Sequence, residues 1–144
     1  MILYADTSFL ITLYVEEERT RDSLRLLRRY KKPVTAMWFS LLEARNALRL
    51  LHFRRQLDAN ALVQKLALLQ ESLTKRTIVV GSVGAEDLAT RAETISSHYT
   101  SRHGLRTLDL IHVAAASLLT ATDFATYDER QRAVAEHIGL AVAP

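Results

Sequence analysis

The opening stretch MILYADTSFLITLY, residues 1–14, places a short apolar run, an acid and a second apolar run in immediate succession. Residues 1–5 carry Ile, Leu and Tyr, a composition suited to a buried strand. The run stops at Asp6. Residues 7–14 read as a short helix, with Asp6 or Thr7 able to cap its first free N–H groups. A strand running straight into an acid and then a helix is the start of an α/β alternation.

The pattern repeats along the chain. Residues 16–30 begin with three acids and end in basic residues, the order that complements a helix dipole. Pro33 interrupts, and residues 33–36 form a candidate second strand. Residues 37–55 carry Leu41, Ala44, Leu48 and Leu51 on one face of a long helix, and residues 58–75 repeat that periodicity behind Asp58. The β-branched run 77–80 is a third strand closed by Gly81. Residues 85–103 form a helix stopped by Gly104, and residues 107–120 a helix apolar on most sides and hence buried. Residues 124–126 are a fourth strand, 128–138 a helix stopped by Gly139, and 140–143 an edge strand. Short apolar strands separated by helices predict one α/β domain over residues 1–144, with a mainly parallel central sheet of about four to five strands.

Composition narrows the chemistry. The 144 residues are 49% hydrophobic and 24% charged, and none is cysteine, so disulfides, zinc–thiolate sites and cysteine nucleophiles are excluded. The N-terminus lacks the basic flank of a signal peptide, and no apolar run nears the ~20 residues that span a bilayer, so a cytoplasmic protein without membrane contact is expected. Gly81 and Gly84 lack the Lys-Ser/Thr context of a phosphate loop, and no GxSxG elbow occurs. The net charge is only +3, yet residues 19–55 hold eleven of the nineteen Lys and Arg against two acids. Such a block attracts a polyanion, or else solvates helix faces.

Ligands of open parallel sheets bind beyond the carboxyl ends of the strands. Asp6 follows the first strand and Asp128 the fourth. Asp109 lies in the first turn of a buried helix, and Glu43 about one and a half turns into the helix after the second strand. Each has an ordinary reading: Asp6 and Asp128 as caps, Asp109 as a partner of the helix dipole, Glu43 as a solvated helix residue. A carboxylate beside apolar runs is nonetheless costly unless it is paired or binds a metal. Asp123, five residues before Asp128, competes with it for the fourth position.

The sequence resembles the PIN-domain family, nearest to its VapC-type ribonuclease toxins. The resemblance rests on Asp6-Thr7-Ser8 after the first strand, Glu43 in LLEARNAL, Asp109 in TLDLIHVAAA, and Asp128 in FATYDERQ followed by Gly139-Leu140. It runs through nearly the whole chain. Residues 58–104 are the least motif-like. The resemblance implies a Mg²⁺- or Mn²⁺-dependent endoribonuclease in which Asp6, Glu43 and Asp109 are the principal metal-site acids and Asp128 completes the cluster. Ser8 would support the metal or its waters, and Thr126 would orient Asp128. It also implies a homodimer and a small antitoxin partner covering the acidic site.

The residue types agree with that chemistry. Mg²⁺ prefers oxygen ligands, and a carboxylate site without Cys suits Mg²⁺ or Mn²⁺ over zinc. His112, three residues after Asp109, is a candidate to contact substrate or hydrogen-bond the acid, and Arg106, just before that helix, is a candidate substrate contact. Asn46 is a candidate extension of the site. The alternatives are a non-catalytic PIN-like module binding RNA or protein, and an RNA-processing nuclease without an antitoxin. A phosphatase with Asp6 as nucleophile is disfavoured, because position 8 is Ser where that chemistry usually has a second Asp.

Overall fold

A computed structural model describes all residues, Met1–Pro144. Five three-residue strands, β1 (Leu3–Ala5), β2 (Val34–Ala36), β3 (Ile78–Val80), β4 (Asp123–Ala125) and β5 (Ala141–Ala143), form one sheet in the order β3-β2-β1-β4-β5. Every pairing is parallel, with Leu3 opposite both Val34 and Asp123. The mainly parallel sheet expected from the sequence is therefore wholly parallel.

The central strand is buried on both faces, and its alternation divides the core. Tyr4 and Phe124 point to one side, where they meet Val113, Ala114, Val134 and Ala135. Leu3, Ala5 and Ala125 point to the other, among Phe9, Leu10, Val34 and Leu69. The first face is covered by α5 (Ala85–Ile95), α7 (Thr107–Leu118) and α8 (Glu129–His137). The second is covered by α1 (Thr7–Ile11), α2 (Thr20–Tyr30) and α4 (Ala59–Thr74). The helix α3 (Trp38–Phe53) packs against α1 and α4. In α7, Val113 and Ala114 to Ala116 are all fully buried; these small side chains let it lie close to α5 and the sheet.

Two helices differ from their sequence reading. The helix expected over residues 16–30 starts only at Thr20, whose hydroxyl accepts from Glu17 N–H (3.0 Å) and donates to Thr12 C=O (3.0 Å). The three acids therefore lie in the connection before it. The helix expected over 85–103 passes through a π-helical turn, Ser96–Thr100, before ending in the short α6 (Ser101–His103) at Gly104, whose φ is +66°.

The chain builds outward from β1 to β3, then returns to place β4 on the opposite side of β1. The crevice beyond the carboxyl ends of β1 and β4 is thus the topological switch point of the sheet.

Candidate active site

Asp6 leaves β1 at that switch point and caps α1, its Oδ1 accepting from Phe9 N–H at 2.9 Å. The expected capping role is real, but it uses only part of the carboxylate. Asp6 is 1% exposed and surrounded by donors. Ser8 Oγ lies 2.8 and 2.9 Å from its two oxygens, Thr126 Oγ1 donates to Oδ2 at 2.9 Å, and Gln131 Nε2 donates to Oδ2 at 3.0 Å. Burial nevertheless pushes the Asp6 pKa up, more than the nearby His112 and these hydrogen bonds lower it. A buried acid that costs energy to ionise gains most from a cation.

Asp109, in the first turn of α7, is also buried. Gln131 Nε2 donates to its Oδ1 at 3.2 Å, and Arg106 Nε donates to its Oδ2 at 2.8 Å. Arg106 stretches further to Asp128, with a 3.6 Å contact to Oδ2. Asp128 caps α8, its Oδ1 accepting from Arg130 and Gln131 N–H. Thr126 accepts the Asp128 N–H at 3.0 Å while donating to Asp6, so one hydroxyl ties the two acids together. Asp123, the competing acid, sits at the opposite end of β4, where it accepts from the Tyr30 hydroxyl at 2.6 Å.

Glu43 is half-buried on α3. Its Oε2 accepts from Thr7 Oγ1 at 2.7 Å and lies 2.7 Å from His112 Nε2. Burial raises its pKa, but the hydrogen bonds of His112 and Thr7 outweigh that, and the carboxyl is held below its usual range. His112, expected either to contact substrate or to hydrogen-bond an acid, is only 2% exposed and faces Glu43 and the Tyr4 hydroxyl (2.9 Å from Nδ1). Arg106, the other candidate contact, is largely exposed but held by Asp109 and Asp128. Asn46 points to solvent.

The arrangement suits a hard cation. One atom, Gln131 Nε2, is within hydrogen-bond distance of both Asp6 and Asp109, so an oxygen from each buried carboxylate converges on a single point. Around it the hydroxyl oxygens of Ser8 and Thr126 lie close, each within hydrogen-bond distance of Asp6, with no sulfur donor. That is an oxygen-rich donor set of the kind Mg²⁺ and Mn²⁺ take. As the side chains stand, no three acidic or imidazole groups close round one point. Glu43 is turned to His112 and Thr7, and Asp128 to its own helix.

Sequence reasoning missed Tyr4, Thr7 and Gln131. A signal existed for the last: Asp128 and Gln131 have the spacing of a capping box. Tyr4 gave none, since a Tyr in an apolar strand reads as core.

The PIN-domain family model matches residues 3–137. No curated protein sequence matches the chain. Among solved structures, the chain is similar to Mycobacterium tuberculosis VapC20, a toxin that cleaves the sarcin–ricin loop, at 20% identity and a TM-score of 0.71, covering 99% of both chains. It is also similar to FitAcB from Neisseria gonorrhoeae, at 20% identity and a TM-score of 0.64, covering 99% of this chain and 97% of the other. At these identities the likeness speaks for the fold.

Proposed function

Because this chain belongs to the PIN-domain family, we propose that it is a Mg²⁺- or Mn²⁺-dependent endoribonuclease acting as the toxin of a type II toxin–antitoxin pair. The observation that carries this reading is the convergence of Asp6 and Asp109 on one point at the sheet's switch point, with Asp128 and Glu43 at its rim. Asp6, Asp109, Glu43 and Asp128 would hold the cation. When bound, a divalent cation supplies Lewis-acid chemistry, favouring attack by water at neutral pH and offsetting charge on the scissile phosphate.

The remaining work falls to the chain's own side chains. Ser8 and Thr126 fix the Asp6 carboxylate in one orientation by donating to it. His112 and Thr7 keep Glu43 ionised at the rim. The Arg106 guanidinium, exposed above Asp109 and Asp128, can turn from them to an RNA phosphate, which offers the same paired oxygens. The substrate class we propose is a splayed single-stranded RNA loop, whose bases and phosphates are more accessible than those of an A-form helix. VapC20, with a similar fold, cleaves the sarcin–ricin loop.

One partner implied by this reading has a candidate surface. Trp38, Leu42, Leu50 and Phe53 of α3 are exposed, which supports a homodimer. No helix is long and apolar enough to cross a membrane. An apolar cleft of about 470 Å³, rimmed by Lys31, Lys32 and Arg76, lies at the amino ends of β2 and β3, away from the acids.

The test is cleavage of total RNA by purified protein, with Mg²⁺ or Mn²⁺ and with EDTA, alongside Asp109→Asn. Metal-dependent cutting that is lost in the variant is the expected result. Cutting that survives both EDTA and Asp109→Asn would overturn it.

A further inference from the structure

Gln131 has no part in the metal chemistry described above, yet it is the side chain most deeply involved with the acids. It lies in the first turn of α8, 3% exposed, three residues after the cap Asp128. At that spacing a Gln normally returns to the N–H of the cap residue. Here Thr126 already accepts the Asp128 N–H, and the Gln131 side chain turns inward. Its amide nitrogen meets two acceptors, Asp6 Oδ2 at 3.0 Å and Asp109 Oδ1 at 3.2 Å, one for each of its hydrogens. Its carbonyl oxygen Oε1 is buried and has no partner.

The two carboxylates, which can only accept, fix the amide in this orientation. Reversing the amide would set a third electronegative oxygen against two acids and remove the only group joining them. The amide nitrogen thus does in the metal-free protein what a cation would do: it presents positive charge to both carboxylates from one point. A cation and this N–H₂ group cannot both occupy that point.

We propose that Gln131 is an intramolecular latch, which bridges Asp6 and Asp109 in the absence of metal and must withdraw before a divalent cation can bind between them. This rests on the metal-site reading. The latch holds the metal-free site in order and sets its metal affinity below what the carboxylates alone would give. Gln131 is on this view a positioning residue, read out by metal binding and by stability of the metal-free form.

The experiment is calorimetric titration of the chelator-stripped full chain with MnCl₂, for the wild type, Gln131→Met, Gln131→Asn and Asp109→Asn, with melting temperatures in EDTA. Gln131→Met keeps the volume without the amide, and Gln131→Asn keeps the amide but is one methylene short of bridging. Both are expected to melt lower in EDTA and to bind Mn²⁺ roughly tenfold more tightly than the wild type, the scale of one charge-assisted hydrogen bond removed from the metal-free state. A silent wild type beside a saturable Gln131→Met would show the latch at full strength. Saturable wild-type binding, lost in Asp109→Asn but no tighter in either Gln131 variant, would overturn the latch and leave the metal site standing. Absence of binding in the wild type and both Gln131 variants would overturn both.

Discussion

His112 stands between Tyr4 and Glu43, its Nε2 2.7 Å from Glu43 Oε2 and its Nδ1 2.9 Å from the Tyr4 hydroxyl. Glu43, held below its usual range, is an acceptor on the Nε2 side, and the Tyr4 hydroxyl, whose pKa burial pushes up, meets the Nδ1 side. The imidazole is a fixed strut between the core and a rim carboxylate, the kind of outer support that sets the orientation of a metal ligand.

His112→Phe fills the volume but strands the Tyr4 hydroxyl in the core, so a loss of about 2 kcal/mol of stability is expected in denaturant unfolding. Glu43 keeps only Thr7, and Mn²⁺ affinity should fall by about 10- to 100-fold. Tyr4→Phe should cost less, and the pair should be non-additive in a double-mutant cycle. Unchanged Mn²⁺ affinity in His112→Phe would remove the strut from the site.

Ser8 and Thr126 act on the other principal acid. Each hydroxyl donates to Asp6, and each also accepts a backbone N–H from residues 127–128. Ser8→Ala and Thr126→Val should each lower cleavage by about 10- to 100-fold through a loosened Asp6, with the fold retained by circular dichroism. Wild-type rates in both would mean that Asp6 needs no support.

Much of this was legible beforehand for a physical reason. The elements follow hydrophobic periodicity, and strand-end acids announce themselves because a carboxylate beside an apolar run demands a partner. Asp6 and Asp128 could be placed at one crevice from sequence because both follow parallel strands. What sequence could not give was which way side chains turn inside the protein. His112 has helical spacing from Asp109 and reads as a neighbour of it, yet its ring faces Glu43 from another helix. Gln131 has capping-box spacing, yet its amide leaves the cap for the two buried acids. Such choices are made by tertiary partners distant in the chain.

The basic block shows the same limit. As a run of residues it looks like one polyanion surface, but α2 divides it. Tyr30, at the C-terminal end, bonds Asp123 at the amino end of β4, so Arg28 and Arg29 lie away from the acids. Arg19, at the other end, lies 5.0 Å over the Tyr127 ring, next to Asp128. Arg19→Ala should therefore weaken RNA binding and reduce the salt slope by about one unit of log K per log salt. Arg28→Ala with Arg29→Ala should leave that slope nearly unchanged. The reverse ranking, measured by binding at several salt concentrations, would place the RNA on the far side of α2.

Stability of the metal-free protein should depend on pH through Asp6. Burial raises its folded pKa above the ordinary 3.8. Between that value and the raised one the folded state holds a proton that the unfolded state has released, so stability falls as pH rises through this window and stays lower above it. Asp6→Asn removes the penalty. In EDTA the variant's melting temperature should exceed the wild type's near neutral pH, and the difference should shrink below pH 3.8. A difference that does not change with pH would contradict the raised pKa.

The decisive measurement is a crystal of the full chain soaked in MnCl₂, with anomalous diffraction collected at the manganese edge. The expected result is a peak between the carboxylates of Asp6 and Asp109, lost in Asp109→Asn. No peak there in fully soaked crystals of both the wild type and Gln131→Met, or manganese bound only elsewhere on the surface of both, would contradict a metal centre built from these acids.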